Sequence, residues 1–166
     1  MNPNALFAEQ FQVVSGFVPV DMSAAANNGD WVNMENYGRC TILLFKAAGT
    51  AGQDPVITVN QATTNAGGSS KALNFSVIHE KVGTLTSVGQ YTMVDQSAAN
   101  TYENLASAES QGIFLIDIQA EDLDSDNDFK FIQASVPDVG AAAQLGCLLY
   151  LLSFPRYGGV LPSALA

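Results

Sequence analysis

Basic residues are scarce in this chain. Lysine and arginine together number 6 in 166 residues, at Arg39, Lys46, Lys71, Lys81, Lys130 and Arg156. They are scattered, so no basic patch tracks a phosphate backbone, and nucleic acid is excluded as a partner. An anionic membrane surface is disfavoured for the same reason. Histidine occurs once, at His79. A chain with one histidine builds no His-rich metal site, and the Glu80 that follows cannot complete an H-E-x-x-H pattern. Two cysteines, Cys40 and Cys147, are too few for a disulfide framework. Each falls in an expected strand, read as a small buried apolar residue, with a cross-strand bridge as the alternative. The longest apolar run, near Leu145 to Leu152, is far short of the roughly 20 residues that span a bilayer. The N-terminus lacks a basic n-region and a long apolar core, so no signal peptide is expected.

Charge of either sign is sparse. Charged residues make up 13% of the chain, about half the usual share of about 25%. Sixteen acids against six bases leave a net charge of −10. Low charge with abundant Gly, Ala, Ser, Thr, Asn and Gln describes strands joined by uncharged turns, and suits a protein that lives against other subunits.

What is present is strand patterning. Ile113 to Ile118 is apolar on both faces apart from Asp117, and Leu145 to Leu152 is apolar on both faces throughout. Phe129 to Val136 alternates. Short apolar runs bounded by turn residues indicate buried strands, and these three predict the middle of one antiparallel sheet. Arg39 to Lys46 sets Cys40, Ile42 and Leu44 opposite Leu43 and Phe45, which predicts a strand that is central or sandwiched between layers. Val56 to Gln61 alternates. Leu73, Phe75, Val77 and His79 are expected on one face of a further strand, and Tyr91 to Asp95 is another. Ser97 to Ser110 reads as a helical turn or a long loop. Roughly eight strands with turn signals every 8 to 15 residues predict an all-β, single-domain antiparallel β-sandwich or jelly roll, with a small barrel as the runner-up.

The ends read as extended arms. In residues 1–22, Leu6, Phe7, Gln10, Phe11 and Val14 recur at helical spacing, which predicts a short amphipathic helix on an N-terminal arm. Residues 23–154 form the expected sandwich core. Residues 155–166, uncharged after Arg156, form a tail expected to lie extended on a surface. Leu6, Phe7, Phe11, Phe17, Arg156 and Tyr157 are the expected contact residues of these arms.

No catalytic constellation stands out, and the chain is not expected to be an enzyme. No G-x-S-x-G elbow accompanies His79. Gly67-Gly68-Ser69-Ser70-Lys71 lacks phosphate-loop spacing and reads as a hairpin loop. Glu121 to Asp128 crowds five acids into eight positions. Asp124, Asp126 and Asp128 alternate as the first ligands of an EF-hand do, but Phe129 stands where its glycine belongs and Ser135 where its bidentate glutamate belongs. These three remain weak candidates for a looser calcium site. A solvated acidic loop is the plainer reading, and no cofactor is expected.

Four stretches resemble small virion structural proteins of tailed bacteriophages. They are Gly29-Asp30-Trp31-Val32-Asn33-Met34-Glu35-Asn36-Tyr37-Gly38-Arg39-Cys40-Thr41-Ile42; Gln61-Ala62-Thr63 followed by Lys71-Ala72-Leu73-Asn74-Phe75; Ala120-Glu121-Asp122-Leu123-Asp124 leading to Phe129; and Leu148-Leu149-Tyr150-Leu151-Leu152 through Arg156-Tyr157. The resemblance covers residues 29–157. It implies a capsid decoration (cement) protein with no catalytic residues, assembled in the host cytoplasm onto the capsid surface. Its implied partners are the major capsid protein and further copies of itself, as a trimer. A neck or tail component, or a β-sandwich module for carbohydrate or calcium, are the alternatives.

Overall fold

The computed structural model describes residues 4–157 and 160–165. In chain order they form α1 (Phe7–Gln10), β1 (Phe11–Asp21), β2 (Asn27–Asn28), β3 (Val32–Asn33), β4 (Tyr37–Lys46), β5 (Val56–Ala62), β6 (Lys71–Ala72), β7 (Phe75–Gly83), β8 (Thr92–Ala99), β9 (Thr101–Glu103), β10 (Gln111–Gln119), β11 (Phe131–Val136) and β12 (Leu145–Pro155). Two short 3₁₀ turns, Ala120–Asp122 and Ser125–Asn127, lie between β10 and β11.

These strands make two antiparallel sheets. One has six strands in the order β1-β12-β4-β10-β7-β8, and the other runs β2-β11-β5-β6, with β3 also on β11 and β9 also on β5. The chain is a single-domain β-sandwich. Leaving out the β7-β8 hairpin, four strands per sheet interleave as 1-12-4-10 and 2-11-5-6, the order of a jelly roll. The hairpin widens the first sheet beyond β10.

Alternation explains the core. In β4, Cys40, Ile42 and Leu44 point inward and are buried; in β12, Leu148, Tyr150 and Leu152 do the same, as do Phe114, Ile116 and Ile118 of β10. Ile57 and Val59 of β5 and Ile132, Ala134 and Val136 of β11 meet them from the second sheet. Each such aliphatic side chain contributes roughly 1.5–3 kcal/mol through burial.

Five expectations are corrected. The three strands read as neighbours in one sheet are divided: β10 and β12 flank β4, while β11 lies in the opposite sheet. The acidic segment is therefore a crossing between sheets and not a hairpin loop. The helical spacing near the N-terminus persists only through α1. From Phe11 onward the β-branched residues Val13, Val14, Val18 and Val20 prevail, and β1 pairs along β12 from Phe11 to Asp21. Most of residues 1–22 is thus an edge strand and not a free arm. The tail folds back onto its own sandwich: Asn33 N–H donates to Ala164 O at 2.8 Å, the Tyr37 hydroxyl donates to Pro162 O, and Ala164 is buried. Ser97 to Ser110 is neither a helical turn nor one loop, because β8 and β9 occupy its first part. Finally, a register shift between Phe75 and Val77 breaks the parity of β7. Phe75 faces inward, but so do Ile78 and Glu80, while Val77 is exposed and His79 is half-buried.

Candidate functional site

One end of the six-stranded sheet gathers apolar side chains in solvent. α1 leads directly into β1, where Phe11 pairs with Ser153. Phe7 stacks on Phe11 with ring centroids 4.7 Å apart. Leu6 is 71% exposed and Phe7 56%. From β12, Phe154 is 59% exposed and lies under the Arg39 guanidinium, 5.4 Å from its ring centroid. Phe154 holds a left-handed backbone, φ 55°, a conformation that costs a bulky residue energy. Arg156 N–H donates to Asn36 O at 2.9 Å and its side chain is exposed, as is Tyr157 at 68%. Phe11, Arg39, Thr41, Phe154 and Pro155 line a groove of about 420 Å³ between these elements. The structure therefore brings five of the expected contact residues, Leu6, Phe7, Phe11, Arg156 and Tyr157, to the terminal end of the sheet. Phe17 lies apart, half-buried in the middle of β1 against the core. Phe154 was missed by the sequence reading, because its strand parity gave no sign that the backbone turns it outward.

The outer face of the same sheet is the second apolar surface. Register places Leu115, Leu43 and Leu149 side by side across β10, β4 and β12. The adjacent row is Ile113, Phe45 and Cys147. Phe45 is exposed, and the other members of both rows are only half-buried. Leu151 and Val13 continue a third row, and His79 and Met93 extend the first outward on β7 and β8. Beside these rows Pro19, Phe45, Leu85, Leu145 and Cys147 line an open groove of about 450 Å³. The expectation that β4 is central holds, but among the described residues no second layer covers Leu43 and Phe45.

The acidic crossing is a well-braced loop. The Asp124 carboxylate pairs with the Lys71 ammonium, which also lies 4.1 Å over the Phe129 ring. Asn127 Nδ2 donates to both Asp124 oxygens at 2.9 and 3.0 Å, and Asp124 N–H donates to Gln61 Oε1 at 2.9 Å. The Lys71 contact, then Asn127, holds the Asp124 carboxyl below its ordinary range. Asp126 and Asp128 are exposed. Among the described residues no three His, Cys, Asp or Glu side chains come together as metal ligands. The weak candidates Asp124, Asp126 and Asp128 share a loop and do not share a focus.

A cleft of about 320 Å³ holds Ser76, His79 and Asp117, the residue types of a hydrolytic triad. Among the described residues no hydrogen bond links the three, and the Asp117 carboxylate accepts from Thr41 Oγ1 instead. The two cysteines are free. Cys40 pairs with Leu152 on the inner face and Cys147 with Phe45 on the outer face, so the strands hold them apart.

The interior carries its own polar chemistry. Glu80 accepts from the Tyr102 hydroxyl at 2.7 Å and from Asn104 Nδ2 at 2.9 and 3.0 Å. The Tyr150 hydroxyl accepts Ala134 N–H at 2.8 Å across the two sheets. Burial pushes the Tyr150 and Tyr37 hydroxyls above their ordinary value near 10. Burial, then Glu80, does the same to Tyr102. Burial, then Asp117, raises the Cys40 thiol above its ordinary 9. Each folded value exceeds the unfolded one, so the stabilisation is complete below the unfolded value and fades as pH climbs toward the folded one. The urea midpoint is expected to fall between about pH 9 and pH 11, and Tyr150→Phe to flatten that fall. A midpoint constant across this range would refute the assignment.

No protein-family model matches the chain, and nothing among the curated proteins matches it. Among solved structures the chain is similar to the SPBc2 prophage-derived protein YomS, at a TM-score of 0.44 and 10% identity, covering 86% of this chain and 93% of that one. No helix among the described residues is long and apolar enough to cross a membrane.

Proposed function

We propose that this chain is a structural virion protein of a tailed bacteriophage, docked on the outside of the capsid, where it stabilises the shell by bridging capsomers. The observation that carries this reading is the apolar end patch of Leu6, Phe7, Phe154 and Tyr157, held in solvent on a braced sandwich. Exposed apolar patches on a folded domain mark surfaces made for association. The resemblance of residues 29–157 to small phage virion proteins supplies the setting. The partners are the major capsid protein and other copies of the chain. The acidic balance suits an outer capsid face, away from packaged DNA. The chain carries out no catalysis, and the brace of Asp124 by Lys71 and Asn127 gives its carboxylate a structural role.

A truncation tests the reading. Removal of residues 1–20 is unsuitable, because it would strip β1 from the sheet. Removal of residues 1–9 stops short of that strand. The shortened chain is expected to keep its thermal transition within a few degrees and to lose binding to shells stripped of this protein. Undiminished shell binding would overturn the proposal. Copy number per particle separates a shell protein from a neck component: hundreds for the shell, against about a dozen or fewer for one closed ring.

A further inference from the structure

We propose that two copies of this chain pair through the outer face of the six-stranded sheet, about a two-fold axis, so that Leu43, Leu115 and Leu149 of each copy are covered by the other. The inference rests on the reading above only in treating the chain as a member of an assembly.

Three observations converge on this face. The first is chemistry. The two central rows, Leu115-Leu43-Leu149 and Ile113-Phe45-Cys147, carry no charge, while the whole chain carries −10. Two such acidic molecules repel over most of their surfaces. This face is where they can meet without opposing carboxylates at the centre. Its charged groups lie around that centre: Lys81, paired with Ile113, lies over the Tyr91 ring at 4.5 Å, Asp117 is engaged by Thr41, Arg39 lies over the Phe154 ring, and Asp95 of β8 pairs with Val77.

The second is area. Six strands spaced about 4.8 Å apart, each presenting about nine residues at about 3.3 Å per residue, make a face of roughly 700 Å². A stable interface of standard size takes about 800 Å² from each partner. Self-pairing of this face therefore supplies what a stable pair needs, and its uncharged aliphatic centre has the composition of a homodimer interface.

The third is shape. The apolar side chains are collected on one broad surface. A two-fold pair uses the same patch on both copies, whereas a three-fold ring needs two different complementary patches. One broad face therefore specifies a pair, not the trimer implied by the resemblance. Two sheet faces stacking this way lie about 10 Å apart, like the layers of a sandwich.

The test uses the full chain in solution. Sedimentation equilibrium at micromolar concentration is expected to give twice the 17.5 kDa of the chain. Cys147 sits inside the proposed contact and Cys40 in the core, so alkylation of Cys147 is expected to slow as protein concentration rises, with Cys40 unreactive throughout. Leu149→Arg places a cation on the outward side of β12. It is expected to weaken pairing by about 100-fold or more, because a buried unpaired charge opposes association, while keeping its far-UV circular dichroism. A monomer or a trimer in the wild type would overturn the proposal. So would a dimer whose Cys147 alkylates at a concentration-independent rate, or a Leu149→Arg chain that still pairs with wild-type affinity. Should Leu149→Arg fail to fold, the wild-type mass and alkylation measurements decide alone. Shell binding by a folded, monomeric Leu149→Arg chain is scored separately: its retention leaves the capsid role standing whatever the pairing result.

Discussion

Lys46→Met is expected to lower stability by about 1–3 kcal/mol, read as a drop in urea midpoint, because it removes a buried cation from a ring of main-chain acceptors. Lys46 ends β4 with its side chain on the same inward parity as Cys40, Ile42 and Leu44, and it is 1% exposed. Its ammonium donates to Ser110 O at 2.7 Å and Ser107 O at 2.8 Å, with Ala47 O and Ala108 O at 3.3 and 3.4 Å. It thereby ties the segment between β9 and β10 to the end of the sheet. Asp54 completes the tie by accepting from Ser107 N–H and Oγ at 2.9 and 3.1 Å. Methionine matches the stem but takes the ammonium from Ser110 O, while Ser107 O keeps Ser110 N–H and Ala108 O keeps Gly49 N–H and Gln144 Nε2; an orphaned buried acceptor costs about 1–3 kcal/mol. Burial lowers the Lys46 pKa to about 8, with Asp54 acting against it. The folded value lies below the unfolded one, so between about pH 8 and 10 the unfolded chain binds more protons and this group's contribution grows with pH. The gap between wild type and Lys46→Met is therefore expected to widen across that interval, even as the tyrosines pull the absolute stability of both chains down. A methionine variant as stable as wild type at pH 7 would show that the segment stands without its tie.

Lys46 also shows where strand parity informs and where it misleads. The alternation from Cys40 to Lys46 was readable, and it gave the inward row, the outward row and the central position of β4. It equally implied that Lys46 points inward, a sign that a lysine at a core position must have acceptors waiting. The acceptors themselves, carbonyls some 60 residues later, could not be read, since main-chain oxygens leave no mark in a sequence. The same limit applies to β7. Parity put His79 with Leu73 and Phe75, and a one-residue irregularity after Phe75 reversed it. Nothing in Asn74-Phe75-Ser76-Val77 announces a bulge. The N-terminal spacing Leu6, Phe7, Gln10, Phe11 fits one turn of helix, and the structure has that turn; the valines after it decide for strand because β1 has β12 to pair with, a tertiary fact. The expected contact residues at the two ends, Arg156 apart, stood out as apolar side chains in polar surroundings. Their gathering at one end of the sheet follows from β1 and β12 being antiparallel neighbours, which the sequence did not contain.

The tightest crossing of the two sheets makes the last prediction. Gly29→Ala is expected to cost about 3–5 kcal/mol, lowering the melting temperature by roughly 10 °C for a domain of this size. A Cβ at Gly29 would stand 2.5 Å from Ala134 O and 2.5 Å from the Tyr150 hydroxyl oxygen. Neither neighbour can yield cheaply. Ala134 O is main chain, accepting Gly29 N–H at 3.0 Å, and the Tyr150 hydroxyl is fixed by Ala134 N–H at 2.8 Å. Gln133 Nε2 also donates to Gly29 O at 2.6 Å. The methyl group would push the chain after β2 off β11 and break contacts that hold both sheets. Tyr150→Phe removes one of the two obstructing oxygens at the cost of an unpaired Ala134 N–H. In the double variant the Gly29→Ala penalty is therefore expected to be smaller than in the wild-type background, a coupling that independent sites do not show. Gly89→Ala is the matched control, since nothing lies within 4 Å of a Cβ there, and it is expected to change stability by less than about 0.5 kcal/mol. Equal melting temperatures for Gly29→Ala and Gly89→Ala would mean that the sheets are not pressed together at Tyr150, and the packing assigned to the sandwich would have to be redrawn around that point.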